Sequence, residues 1–387
     1  MFGRGFRLFK LSGFEVKIDA SWLFIVLLIT WSLAVGYFPI RYRGLPSGDY
    51  WWMGIAGSLG LFGSIVVHEF SHSLVARRYG LPMKGITLFI FGGVAEMGEE
   101  PRNPKTEFLM AIAGPVVSVF LRLAFYLIYQ AAKAVLPMPV VGVVLYLAWM
   151  NFALAAFNLV PAFPLDGGRV LRSALWHWMG SLPRATRIAA GLGSGFGILL
   201  IVLAVWQWLA GNLIQAMWWF VLGLFLRRAA ESSYKQLIIR RALEGEPVRR
   251  FMKTDPVTVP PELSIQNLVE EYMYKEHFKM LPVVATGSEE LAGCVTTSGV
   301  KRVPREEWNR HSVREVLQPC SPENTIRPDA DAINALAQIS RSGQSPLMVV
   351  DRQHLLGVIA LKDLMGFLAT KLDIEGDFLS DSPARRK

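Results

Sequence analysis

Cysteine is nearly absent from this chain of 387 residues: only Cys294 and Cys320 occur. Two isolated thiols, neither at metal-site spacing, exclude a disulfide framework and a cysteine-type zinc site, and read as reduced thiols. Acidic residues are scarce in the first part of the chain. Residues 1–245 hold 22 Lys and Arg against 11 Asp and Glu, whereas residues 246–387 hold 18 against 20, so the net charge of +9 belongs to the first part. Charge of either sign is missing over long stretches, as between Asp49 and Glu69.

What fills those stretches is apolar. Hydrophobic residues make up 52% of the chain, and runs near the ~20 residues needed to cross a bilayer occur at 20–38, 52–79, 106–131, 139–162, 187–209 and 211–226. The last two form a helical hairpin if the chain turns tightly at Gly211 and Asn212. Six spans are therefore expected, with a lipid bilayer as solvent. Basic residues cluster on alternate loops: Arg4 to Lys17, Arg77 to Lys105, Arg169 to Arg187 and Arg227 to Arg241. The opposite loops carry only Arg41, Arg43 and Lys133. By the positive-inside rule, both termini are expected in the cytoplasm of a multi-pass cell-membrane protein. This placement accounts for the basic excess without a nucleic-acid partner. The first apolar run has span length and no small-residue cleavage pattern after it, so it reads as a retained signal anchor.

Residues 68–72 read His-Glu-Phe-Ser-His at the end of the second run. On a helix, positions i and i+4 share a face, so His68 and His72 can offer two imidazoles to one metal with Glu69 beside them as a base. The plain alternative is a set of satisfied polar residues in a helix bundle, but ionisable groups at membrane depth are costly and mark functional sites. A catalytic zinc takes three protein ligands and leaves a position for water. The best third donor is Asp166, in the string Asn158-Leu159-Val160-Pro161-Ala162-Phe163-Pro164-Leu165-Asp166-Gly167-Gly168. Its prolines break the fourth span, and backbone freed at membrane depth is tolerated only inside protein or along a wet cavity. Asp166 equally suits a loop or helix cap. Topology brings the HEFSH end of the second span and the Asp166 end of the fourth to the same side.

These motifs, with Phe91-Gly92-Gly93-Val94-Ala95 and Ala113-Gly114-Pro115-Val116-Val117-Ser118 in order, resemble the site-2 protease family of intramembrane zinc metalloproteases over nearly the whole chain. The resemblance implies one Zn2+ held by His68, His72 and Asp166, with Glu69 activating the water. It places Asn158 in the active site as an oxyanion or substrate-backbone donor, where an interhelical hydrogen bond is the alternative. It also implies that the segment holding Gly92, Gly93, Val94 and Ala95, too short to span and rich in β-formers, makes a hairpin whose edge pairs with an unwound substrate strand. A re-entrant loop without substrate contact is the other reading. Gly114, Pro115 and Ser118 give the third span a small-residue packing face; Ser118 stands where many relatives carry Asn, which leaves its polar role open. Arg122, in the same span, is expected to snorkel to the outer interface.

From Arg249 onward the composition is that of a soluble α/β domain with a 64-residue internal repeat, Pro282 matching Pro346 and Gly293 matching Gly357. The pattern resembles a tandem pair of CBS domains, which implies a possible homodimer and an adenine nucleotide in the cleft. The hydroxyl-x-x-Asp pair that would hold ribose is incomplete in both copies: Thr296 faces Gly299, and Asp363 follows Ala360. The expected organisation is a transmembrane metalloprotease domain over 1–226, a helical linker over 227–247, CBS repeats over 248–304 and 313–370, and a disordered tail over 371–387. The fold class is thus a polytopic α-helical membrane protein with a short β-hairpin or re-entrant segment, joined to a cytoplasmic α/β tandem CBS domain. The expected function is an endopeptidase that cuts a membrane-spanning protein substrate near the cytoplasmic side. A CBS-gated transporter using the histidines as a metal site is the competing class, and it would not need Glu69 as a base.

Overall fold

A computed structural model describes residues 6–11, 14–89, 92–97, 100–285, 290–352 and 354–381. The chain divides into two compact units, with the boundary after Lys235.

The first unit is built on six long apolar helices. These are α1 (Ala20–Arg41), α2 (Ser47–Arg78), α3 (Pro104–Ala132), α4 (Met138–Asn158), α6 (Leu182–Leu209) and α7 (Leu213–Leu243). A shorter helix, α5 (Asp166–Met179), lies between α4 and α6 in the chain. Their ends follow local chemistry. Asp19, Asn103 and Ser181 each accept a hydrogen bond from a backbone N–H of the first turn, satisfying donors that a helix start leaves free. Gly180, in the left-handed region, ends α5. Many large apolar side chains face outward, Trp206 at 63% and Leu209 at 74% exposure among them, as expected where the surrounding solvent is hydrocarbon. Each of the six expected spans falls on a helix long and apolar enough to cross a membrane, with shifted limits. The fourth stops at Asn158 rather than 162 because the chain leaves the helix at Leu159, ahead of Pro161. The sixth continues through polar residues to Leu243.

Four strands complete this unit: β1 (Phe6–Leu11), β2 (Phe14–Ile18), β3 (Met83–Phe89) and β4 (Gly92–Met97), in that spatial order. β3 and β4 form the expected hairpin, with Leu88 opposite Gly93 and Phe89 opposite Gly92. The amino-terminal strands β1 and β2 stand where the basic residues predict a loop. β2 runs parallel to β3, Glu15 opposite Gly85, and a Cβ at Gly85 would come within 2.5 Å of the Glu15 carbonyl oxygen. Val16, Ile86 and Leu88 are buried against Trp22 of α1 and Ile65, Val66 and Phe70 of α2, so the sheet packs on α2 on either side of His68. β4 is left as an edge strand. Arg122 does not simply reach for an interface: its guanidinium lies 4.9 Å from the Tyr126 ring centroid and 5.1 Å from that of Trp149, a cation–π arrangement favoured where water is scarce.

The second unit holds the repeat. Its strands are β5 (Met280–Val284) and β6 (Leu291–Thr296), then β7 (Thr325–Ile326), β8 (Leu347–Asp351) and β9 (His354–Ile359). Helices α8 (Ala332–Ser342) and α9 (Leu361–Asp381) belong to the second copy. The antiparallel pairs β5–β6 and β8–β9 occupy equivalent places in the two copies. Each copy has its own core, one around Ile265, Leu281 and Val295, the other around Leu347, Val349 and Ile359. Met280, Leu291 and Cys294 of the first copy pack on Met348 of the second. Burial pushes the Cys294 thiol up to about 11, so this cysteine is an inert core residue. The expected disordered tail is corrected in part. Residues 371–381 continue α9, anchored by buried Leu364 and Leu368 and by Lys371, whose Nζ donates to the Ala242 carbonyl at 3.0 Å. Residues 382–387 lie outside the described residues.

Candidate metal centre

His68 and His72 lie on one face of α2 and both are buried, with 2% and 8% exposure. Their Nε2 atoms are 3.3 Å apart. Asp166, the first residue of α5, brings Oδ2 to 3.0 Å from His68 Nε2 and 3.2 Å from His72 Nε2. Ligand bonds of 2.0–2.1 Å at tetrahedral angles give donor separations of about 3.3 Å. The three atoms are therefore spaced as three donors to one zinc ion would be. Among the described residues this is the one cluster of three or more such donors.

The rear nitrogens are committed elsewhere. His72 Nδ1 donates to the Met110 carbonyl at 2.6 Å, and His68 Nδ1 lies 2.9 Å from the Ser118 hydroxyl. The Met110 carbonyl can only accept, so the His72 proton sits on Nδ1 and its Nε2 lone pair points inward; the Ser118 hydroxyl fixes the orientation of the His68 ring. Both partners come from α3, as does Gly114 between them. A Cβ at Gly114 would come within 2.6 Å of His68 Nε2 and closer still to His72 Nε2. Its small size therefore makes room for the imidazoles rather than only for helix packing. Ser118 acquires a definite polar role, which the sequence comparison had left open. Replacing it, Ser118→Ala, is expected to weaken zinc binding by about tenfold, at the lower end of the usual range for an outer partner of a metal-bound histidine. Titration with a zinc-buffered chelator measures this, and an unchanged affinity would deny Ser118 that role.

Glu69 sits beside the donors, half-buried on α2. Gly93 of β4 covers it so closely that a Cβ there would stand 2.6 Å from Glu69 Cγ. The hairpin thus reaches the centre at Gly93. Gly92, Val94 and Ala95 are placed by backbone pairing along β4, whereas Phe91 of the same motif lies outside the described residues. Asn158 closes α4 and is partly buried, but no hydrogen bond joins it to Glu69, His68, His72 or Asp166 among the described residues. Glu107, which the sequence does not single out, and Arg172, one of the basic residues between the fourth and fifth apolar runs, form a buried ion pair between α3 and α5. The signal available was that Glu107, Met110, Gly114 and Ser118 recur at helical spacing on one face of α3.

In the second unit, Thr296 and Asp363 are engaged locally. Thr296 Oγ1 accepts from the Gly299 N–H and from Gln318 Nε2, and Asp363 Oδ2 accepts from the Ala360 N–H at 2.9 Å. The hydroxyl and carboxylate expected to meet ribose thus each accept a hydrogen bond from the N–H of a residue three positions away.

Comparison with known proteins gives a consistent picture. The model of peptidase family M50 matches residues 56–138 and 127–203, and that of the CBS domain matches 248–306 and 313–370. Rip3 of Mycobacterium tuberculosis is 32% identical over 357 residues, covering 92% of this chain and 90% of its own. The zinc metalloprotease MJ0392 of Methanocaldococcus jannaschii is 28% identical over 360 residues, covering 93% and 94%. Among solved structures, a site-2 protease from Methanocaldococcus jannaschii covers 59% of this chain and 95% of its own at 29% identity, with a TM-score of 0.43. Similarity at this level over nine-tenths of both sequences, with the peptidase and CBS matches in the same order, means that the chain belongs to the M50, or site-2 protease, family of zinc metalloproteases and carries a tandem CBS pair.

Proposed function

We propose that His68, His72 and Asp166 hold one zinc ion and that Glu69 is the general base in hydrolysis of a peptide bond within a membrane-spanning protein substrate. The observation that carries this reading is the convergence of two Nε2 atoms and one carboxylate oxygen at 3.0–3.3 Å, inside a bundle of apolar helices. When bound, zinc supplies a Lewis acid that lowers the pKa of its water and draws charge from the scissile carbonyl. Glu69 takes the proton of the attacking water as the new C–O bond forms, then gives it to the departing nitrogen as the C–N bond breaks. The edge position of β4 among the described strands supports a further step. A transmembrane peptide bond is hidden by helical hydrogen bonds, and an edge strand offers replacement partners to an unwound segment, with Gly93 setting that segment beside Glu69. Asn158 is proposed as a donor toward substrate backbone.

Orientation belongs to the same proposal. With basic loops and both termini in the cytoplasm, His72 lies about 10 Å before the cytoplasmic end of α2 at Arg78. Cleavage would then fall near that face and release a cytosolic fragment. Control of cleavage by the CBS pair is a further part of the reading, in which Thr296 and Asp363 also serve as local caps.

Metal removal tests the chemistry. A strong chelator is expected to abolish cleavage of a single-span substrate in proteoliposomes, and one equivalent of zinc to restore it. Cleavage that continued after the zinc content had fallen to zero would overturn the assignment.

A further inference from the structure

The buried pair between Glu107 and Arg172 has no place in the chemistry above. Glu107 is fully buried at the start of α3, and Arg172, 5% exposed, lies on α5 six residues after Asp166. Arg172 Nε donates to Glu107 Oε1 at 2.5 Å, and a terminal guanidinium nitrogen of Arg172 grips the same oxygen. Glu107 Oε2 is buried without a partner, so Arg172 alone compensates this carboxylate by direct contact among the described residues. The guanidinium also stacks over the Phe163 ring, 5.0 Å from its centroid. Arg172 thereby ties together α3, α5 and the loop that delivers Asp166.

We infer that Glu107 and Arg172 are positioning residues for Asp166, an inference that rests on the metal-site reading above. The argument is geometric. Met110 and Ser118 on α3 orient the two histidines, and Gly114 makes room for them. Asp166 comes from a different helix, and among the described residues its carboxylate meets only the two histidines. Its carboxylate must still be held to within about half an ångström of the productive place. The Glu107–Arg172 pair references α5 to the same face of α3 that holds both imidazoles, so all three donors share one frame. Stability alone is a weak reason for such a pair, because an apolar pair of similar volume usually serves as well.

That last point supplies the test. The double substitution Glu107→Met with Arg172→Met removes both charges and keeps a packed contact. Zinc affinity and the visible spectrum of the cobalt-substituted protein are measured on full-length wild type and variant in detergent, with thermal unfolding as the control for folding. The expected result is a folded variant that binds zinc about tenfold more weakly and whose cobalt spectrum departs from that of wild type. A folded variant with wild-type affinity and spectrum would overturn the inference. Should the double variant not fold, Glu107→Gln, which keeps shape and one hydrogen bond to Arg172, is judged by the same two readouts. Failure of the metal-site reading itself looks different: wild-type protein would bind no zinc at all.

Discussion

Glu69→Gln is expected to leave one zinc per chain in place and to reduce cleavage by about 10²- to 10⁴-fold, the usual range for loss of a positioned general base. The separation of the two effects follows from where Glu69 lies. Its carboxylate is not among the three converging donor atoms; it sits beside them under Gly93. An amide of the same shape preserves that packing and cannot accept the proton. Zinc analysis and cleavage of a single-span substrate on the same preparation measure both quantities. Loss of zinc along with activity would make Glu69 a ligand, and retained activity would move the base elsewhere. A metal-transport site built on the same histidines predicts zinc in both proteins and cleavage by neither, since it has no use for a base.

The second large effect is expected at a residue that has no functional group. Gly114→Ala places a methyl group where the Nε2 atoms of His68 and His72 now stand. The obstructing atoms are not the ends of flexible chains. Both rings are pinned from behind, His72 by the Met110 carbonyl and His68 by Ser118, and both are buried. Either α2 and α3 separate or one imidazole leaves the donor cluster. Interiors are close-packed, and one added carbon in a filled site is felt. Zinc affinity should fall by at least the ~100-fold that marks the upper end for outer-partner changes, with cleavage falling in parallel. Helix content by circular dichroism should persist. A Gly114→Ala protein with full zinc occupancy and activity would mean that α2 and α3 have room for the added methyl group and would contradict this packing.

Much of the centre was readable because its spacing is local. His68, Glu69 and His72 follow from i, i+4 geometry on one helix, and the six spans follow from apolar run length. Asp166 was weaker by itself, since an Asp before two glycines is also a good cap, and the family motif singled it out. The support behind these donors was not legible. Ser118 is 50 residues from the histidine it meets and Arg172 is 65 from Glu107; nothing in the local pattern of either residue names its partner. Arg172 also looked like one more loop charge of the positive-inside series, which hid its burial. The strands β1 and β2 were missed for a related reason: Lys10 and Lys17 fitted a basic loop, although the alternation of Glu15, Val16, Lys17 and Ile18 carried a strand signal. Repeats in the second unit were legible because they compare the chain with itself, but the local capping by Thr296 and Asp363 emerged only from atomic positions.

The most direct measurement is X-ray absorption at the zinc edge on the purified full-length protein, with metal content determined on the same sample. The account predicts one zinc per chain, four-coordinate, with nitrogen and oxygen neighbours only, at about 2.0–2.2 Å, two of them imidazoles. Sulfur at about 2.3 Å, or a well-folded protein that takes up no zinc, would contradict it.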